Sequence, residues 1–272
     1  MGIRVISGVV GIALATFIIQ TGGAVFGAAV LLLMLVGWHE YAQAFRHYGT
    51  PPAYFNGMAA TTLVWAAVFF GGAELLGAAA TLSTLWLMLQ AVFFHREFSS
   101  AQALYSVAGV LYVGLSLSHL MLLRFWRSGE ALATPVGLMD VGCVWLWIAL
   151  IGTWASDTFA YFSGFFFGKR KLCEAISPKK TIEGFIGGVI GTAVSVAALG
   201  YAVGLPQLPM LGLGVAIALV ATVGDLVESA VKRFTGIKDS GVLIPGHGGV
   251  LDRFDSAMYV VPCVYYLVRA IG

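Results

Sequence analysis

The sequence predicts an all-α integral membrane protein, a polytopic bundle of about nine transmembrane helices. Three observations lead there. Hydrophobic residues make up 59% of the 272 residues and charged residues only 10%, where a soluble domain carries about 25% charged residues. The mean hydropathy is +0.91. Apolar runs of about 20 residues, the length of one helical crossing, recur along the chain, and the period-two alternation of a membrane β-barrel is absent.

The runs fall at 3–20, 22–45, 55–71, 73–94, 100–126, 136–167, 181–204, 208–232 and 251–270. The first contains Arg4 and an apolar run but no convincing cleavage signal, so it reads as a retained span rather than a signal peptide. In the second, Trp38, Tyr41, Phe45 and Tyr48 read as an interfacial aromatic belt beside Arg46, and Glu40 acquires no role. Only Gly71 and Gly72 separate the third run from the fourth. His95-Arg96-Glu97 and Arg124–Arg127 read as solvated loop ends. Ser177-Pro178 reads as a helix start with proline in the first turn. Cys143, Cys173 and Cys263 lie far apart with no CxxC pair, so they imply neither a zinc site nor a disulfide framework.

The net charge of +2 says less than its distribution. Arg46, Arg96, Lys169, Arg170, Lys171, Lys179, Lys180, Lys232, Arg233, Lys238 and Arg253 fall in even-numbered loops, whereas Arg4, Arg124, Arg127 and Arg269 fall on the other side. The positive-inside rule therefore places 168–180 and 233–250 in the cytoplasm. It leaves the side of the N terminus open. Residues 1–150 carry few ionisable groups within spans and read as membrane scaffold. Residues 151–272 carry nearly all the unusual ones and read as the catalytic part of one continuous membrane domain.

Three polar constellations stand out. Asp225, Glu228, Ser229 and Lys232 lie at i, i+3, i+4 and i+7 on an apolar helix, which makes them one polar stripe. Carboxylates within a span are costly and face a partner or a water-filled cavity. Here they form either an ion-pair rail or a metal and phosphate site. The second constellation runs from Lys238-Asp239 through Pro245, Gly246, His247, Gly248 and Gly249 to Asp252, Arg253 and Asp255. Its glycines permit close backbone approach and positive φ. Backbone N–H groups ahead of a helix suit an anion. Asp252 and Asp255 share a face if that segment is helical, and Asp255 alternatively caps or orients Arg253. The third constellation holds Thr153, Asp157 and Tyr161 at i+4 spacing beside a small-residue stripe of Ser156, Ala160, Gly164 and Gly168, which reads as helix packing. The basic segment Ser177-Pro178-Lys179-Lys180-Thr181 follows. Its lysines are either phosphate contacts or positive-inside anchors, and Glu183 caps or orients one of them.

These residues give the chain a strong resemblance to the phosphatidate cytidylyltransferases, also called CDP-diacylglycerol synthases. Their signature has the form S-x-aliphatic-K-R, K-D, P-x-H-G-G, D-R-x-D. Ser229, Lys232, Arg233, Lys238, Asp239, Gly241, Pro245, His247, Gly248, Gly249, Asp252, Arg253 and Asp255 match it in register. The upstream pieces around Ser156-Asp157 and Ser177–Gly184 are similar too. The likeness covers about 150–260; the first half offers no motif to test.

The resemblance implies transfer of the cytidylyl group of CTP to phosphatidic acid, giving CDP-diacylglycerol and pyrophosphate. It implies Mg²⁺ held by Asp225 and Asp252, with Asp255 completing the shell, and K⁺ as an accompanying ion. Lys232, Arg233, Lys238, His247 and Arg253 would serve catalysis. Ser177, Lys179, Lys180, Asp157, Gly248 and Gly249 would bind substrate. It further implies a homodimer in the inner membrane, in contact with membrane lipid, with its active site facing the cytoplasm. No nucleic-acid partner is expected. The competing readings are another CTP-using membrane enzyme, such as a polyprenol kinase, and a cation transporter. A transporter leaves the basic glycine loop without a purpose. A CDP-alcohol phosphotransferase lacks its D-G-x-x-A-R signature here.

Overall fold

The computed structural model describes residues 2–241 and 248–271. Their helices are α1 (Gly2–Thr21), α2 (Gly23–His47), α3 (Tyr54–Phe93), α4 (Ser100–Gly109), α5 (Ser116–Arg124), α6 (Val141–Phe167), α7 (Ile182–Ala202), α8 (Gln207–Thr235), α9 (Leu251–Phe254) and α10 (Ala257–Ile271). A π-helical stretch, Val110–Leu115, joins α4 to α5. Among the described residues, six helical segments are long and apolar enough to cross a membrane: α2, α3, the α4–α5 run, α6, α7 and α8. The apolar stretches Gly8–Thr21 and Ala257–Ala270 are shorter. Many large side chains point outward, among them Phe55, Phe70, Phe93 and Phe165, each more than 70% exposed. So much exposed apolar surface suits a chain solvated by lipid.

α3 is 40 residues long, about 60 Å if straight and twice the hydrocarbon core of a bilayer. It is not straight. Gly72, with φ 61° and ψ −147°, breaks it where the sequence separates the third and fourth runs. Gly22, between α1 and α2, has nearly the same backbone, φ 63° and ψ −150°. Only glycine adopts that conformation without steric cost.

The fold comprises two compact units within the described residues. One contains the chain up to Leu122 together with Val231–Phe254; the other contains Leu123–Ala230 and the chain from Asp255 on. In the first unit, Met34, Trp38, Leu87, Leu117 and Met121 are fully buried. Trp38 Nε1 donates to the Tyr54 carbonyl at 2.9 Å and Tyr41 Oη to the Tyr105 carbonyl at 3.0 Å. The expected aromatic belt is therefore mostly core. Trp38, Tyr41 and Phe45 are buried and Tyr48 alone is exposed, because α3 and α4 pack over that face of α2. α4 begins at a capping box in which Ser99 and Gln102 exchange hydrogen bonds.

In the second unit α6 packs along α7. The small-residue stripe does close the two helices: a Cβ on Gly184 would meet the Ala160 carbonyl at 2.8 Å, and one on Gly188 the Ser156 carbonyl at 3.3 Å. Two antiparallel hairpins flank α6. The first pairs β1 (Ala131–Thr134) with β2 (Gly137–Asp140), so α6 starts at Val141 rather than near 136. Arg124, expected at a solvated loop end, is buried and paired with Asp140 at 3.1 Å. The second hairpin pairs β3 (Lys171–Cys173) with β4 (Ser177–Thr181). Ser177-Pro178 is thus strand, not helix start. Thr181 is the N-cap of α7, its hydroxyl accepting from Gly184 N at 3.1 Å. A cap of this kind fixes the start more firmly than a proline four residues earlier. The expected last span is also interrupted: α9 ends at Phe254, and Asp255-Ser256 forms a turn before α10.

Candidate active site

In the first unit the site is built around Asp252, in the single turn of α9. Its Oδ1 accepts from Lys232 Nζ, near the end of α8, at 2.9 Å. Its Oδ2 accepts from the backbone N–H of Gly249 at 2.8 Å and of Ser240 at 2.9 Å. The Asp252 side chain is 8% exposed. Burial pushes its carboxyl up, but the Lys232 ammonium and the two amides outweigh burial and hold it below the usual carboxylate range. Asp252 is thus a fixed anion with charge-assisted bonds on both oxygens. Gly248 has the positive φ, +90°, expected of this loop. Arg233, Lys238, Asp239 and Arg253 are exposed around it. Pro245, Gly246 and His247 lie outside the described residues.

Behind this loop stands a residue the sequence did not single out. Glu40, on α2, is 4% exposed. Its Oε1 accepts from Val250 N and its Oε2 from Leu251 N, both at 2.9 Å. A cavity of about 550 Å³ adjoins it, lined by Leu35, Val36, His39, Gln43, Met58, Ser240 and Gly241 as well as Glu40. His39 Nδ1 lies 2.9 Å from Tyr54 Oη.

In the second unit the β3–β4 hairpin carries the basic segment. Glu183 fastens its base: Oε2 accepts from the N–H groups of Lys169 and Arg170 at 3.0 and 3.1 Å, and Oε1 faces Arg170 Nε at 3.5 Å. Glu183 therefore organises the turn rather than orienting a lysine. Lys171 Nζ donates to the Pro178 carbonyl at 2.6 Å, tying the strands. The hairpin presents Lys180 to Asp225 at 2.7 Å, and Ser229 Oγ donates to Asp225 Oδ1 at 3.3 Å. Lys179 is exposed and Ser177 half-buried. Asp157 is exposed on α6, and Glu228 is buried on α8. Asp255 does not continue a helical face with Asp252. It sits in the turn after α9, where its Oδ1 accepts from Ser256 N at 2.6 Å.

Two lysine–aspartate pairs thus emerge, Lys232 with Asp252 and Lys180 with Asp225. The sequence had named all four residues, but not these partners. Both acids are hard oxygen donors with lone pairs left beyond the bonds described, and oxygen donors are what Mg²⁺ prefers. Among the described residues, no group of three or more His, Cys, Asp and Glu side chains gathers as a ready-made cage. Mg²⁺ does not ask for one, because it is usually bound through one or two carboxylates, with phosphates and water filling the rest.

The chain is similar to several phosphatidate cytidylyltransferases, to one of them over nearly its whole length. It is 36% identical to a phosphatidate cytidylyltransferase of Synechocystis sp., over 97% of this chain and 95% of that protein. A phosphatidate cytidylyltransferase of Bacillus subtilis is 43% identical over 46% of this chain and 47% of its own length. One of Staphylococcus aureus is 47% identical over 44% of this chain and 47% of its own. The Cytidylyltransferase family profile matches residues 2–271. A match that begins in α1 and runs through both lysine–aspartate pairs into α10 leaves one assignment: the chain belongs to the cytidylyltransferase family.

Proposed function

We propose that this protein transfers the cytidylyl group of CTP to phosphatidic acid, forming CDP-diacylglycerol and releasing pyrophosphate. The observation that carries the proposal is the near full-length similarity to a protein named for that activity. The two lysine–aspartate pairs supply a physical basis for it.

In this reaction a phosphate oxygen of the lipid attacks the α-phosphorus of CTP. The bond from that phosphorus to the bridging oxygen breaks, and pyrophosphate leaves with the electron pair. The second pKa of a phosphate monoester is about 6, so the nucleophile is already ionised near neutral pH and needs no strong general base. What remains is to bring two anions together and stabilise charge on the leaving group. Lys232, Arg233, Lys238 and Arg253 neutralise phosphates in this reading, and His247 is a further catalytic candidate. Lys179 and Lys180 reach phosphate from the hairpin, with Ser177, Asp157, Gly248 and Gly249 as further substrate contacts. Asp225 and Asp252 would supply carboxylate oxygens to Mg²⁺, with Asp255 as a further donor. The metal, when bound, screens phosphate charge. K⁺ as a companion ion and a homodimer rest on the resemblance alone. Replacing K⁺ with Na⁺ in the assay tests the first, and cross-linking in membranes tests the second.

The proposed topology has nine crossings. The break at Gly72 divides α3 into 54–71 and 73–93, each near the ~20 residues of a crossing, and α1 and α10 complete the set. α7 and α8 lie between the two basic segments along the chain. Two crossings return the chain to one side, as a cytoplasmic site in the inner membrane requires. The deciding assay supplies radiolabelled CTP and phosphatidic acid to purified protein, with and without Mg²⁺. Mg²⁺-dependent CDP-diacylglycerol is expected. Labelling of a polyprenol in preference to phosphatidic acid would transfer the chain to a different substrate class.

A further inference from the structure

Glu40 lies on a spanning helix 210 residues before Val250. Taking a carboxylate out of water is expensive unless specific donors replace the lost hydration. Here two backbone amides do so, at 2.9 Å each, at the entry to α9. The surroundings are shaped to it. A Cβ on Gly249 would stand 2.6 Å from both Glu40 oxygens, and one on Gly241 would collide with Oε1. The chain ends on either side of residues 242–247 therefore both close on the same carboxylate.

The same two chain ends hold Asp252. Ser240, next to Gly241, and Gly249, next to Val250, donate the two amides that fix Asp252 Oδ2. Glu40 and Asp252 accept from consecutive amides of one segment, Asp252 from Gly249 and Glu40 from Val250 and Leu251. A shift of Glu40 must move the amides that aim Asp252. We propose that Glu40 is a positioning residue, which sets the direction of the Asp252 carboxylate by holding Val250 and Leu251. This inference rests on the reading of Asp252 as a metal-holding group.

Geometry makes the role demanding. A carboxylate accepts on two oxygens at once, whereas the amide of glutamine offers one acceptor and two donors. Glu40→Gln keeps the volume and loses half of the fork. Glu40→Asp keeps the charge and falls short by one methylene. Groups that orient a metal-holding side chain typically change metal affinity by about 10–100-fold when mutated.

The test uses the full-length protein in detergent or nanodiscs, with two readouts. Without metal or substrate, hydrogen exchange at Val250 and Leu251 is expected to quicken at least about tenfold in Glu40→Gln and Glu40→Asp, while α6 and α7 exchange as in wild type. In turnover, the Mg²⁺ concentration for half-maximal rate is expected to rise about tenfold or more, with a smaller change in the CTP concentration for half-maximal rate. Unchanged exchange at both amides overturns the proposal. So does faster exchange with an unchanged Mg²⁺ requirement, since Glu40 would then only stabilise the fold. Should one variant lose protection throughout the chain, the other decides. Wild-type protein that makes no CDP-diacylglycerol overturns the underlying reading, whereas wild-type turnover with an indifferent Glu40→Gln overturns the Glu40 role alone.

Discussion

Asp252 and Asp225 are each paired with a lysine, yet they are held in different ways. Asp252 is 8% exposed and anchored by two backbone amides as well as Lys232. Asp225 is 28% exposed, and the bonds described for it come from side chains: Lys180 on a hairpin and a Ser229 hydroxyl at 3.3 Å. Backbone amides cannot change rotamer, so Asp252 is aimed before any ligand arrives. Lysine stems can, so the partner that holds Asp225 is free to move. Preorganised groups tolerate displacement poorly, because a shift of about 1 Å at a reacting centre can cost about 100-fold in rate.

The broadest prediction concerns activity. Asp252→Ala and Asp225→Ala are each expected to lower CTP-dependent product by on the order of 10³-fold, with membrane insertion intact by fractionation. The charge-preserving changes separate the two sites: Asp252→Glu is expected to lose about 100-fold and Asp225→Glu about tenfold. Equal losses would erase the distinction between a fixed and an adjustable acid. Next comes stability. Asp252→Asn breaks a largely buried pair and is expected to cost about 3 kcal/mol, whereas Asp225→Asn, at a pair whose side chains are 25% and 28% exposed, costs less than about 1 kcal/mol. Thermal unfolding in detergent measures both, and a larger loss at Asp225 would reverse the comparison. A smaller effect is expected at the hairpin. Glu183→Ala loosens the turn that presents Lys180, and should raise the CTP concentration for half-maximal rate about tenfold while leaving the melting temperature within a degree or two. An unchanged CTP response would detach the hairpin from the substrate.

The smallest effect is on acid stability. The Asp252 carboxyl is held below its usual value, so its stabilising contribution is complete above the unfolded-state value of about 3.9. That contribution drains away as pH falls through the lower folded-state value. The difference in melting temperature between wild type and Asp252→Asn should be constant from pH 7 to 5 and shrink below pH 4. A difference that grows in acid would contradict the direction of the shift.

Much of the fold was legible because lipid imposes a simple code. Long apolar runs located the helices of six spanning segments within a few residues, and Gly71-Gly72 marked the break in α3. The short hairpins escaped because three to five residues, several of them polar, carry no usable alternation. The expected helix start at Ser177-Pro178 failed for the same reason. Of the site, Lys180, Lys232, Asp225 and Asp252 were legible as unusual charges in an apolar chain, but their partners depend on tertiary contacts. Glu40 was not legible, since its partners are backbone amides, which every residue except proline possesses. The signal that could have raised it was its rarity: an acid inside a membrane helix needs a reason.

The glycine turns at Gly22 and Gly72 have a consequence for biogenesis. Neither Gly22-Gly23 nor Gly71-Gly72 places a lysine or arginine between the helical stretches it joins. Cells orient newly made membrane segments by retaining cations on the cytosolic face, and these two corners offer none to retain. Arg4 precedes the first corner and Arg46 and Arg96 follow, so in the proposed topology each corner would join its two helices into a tethered pair rather than let them enter one by one.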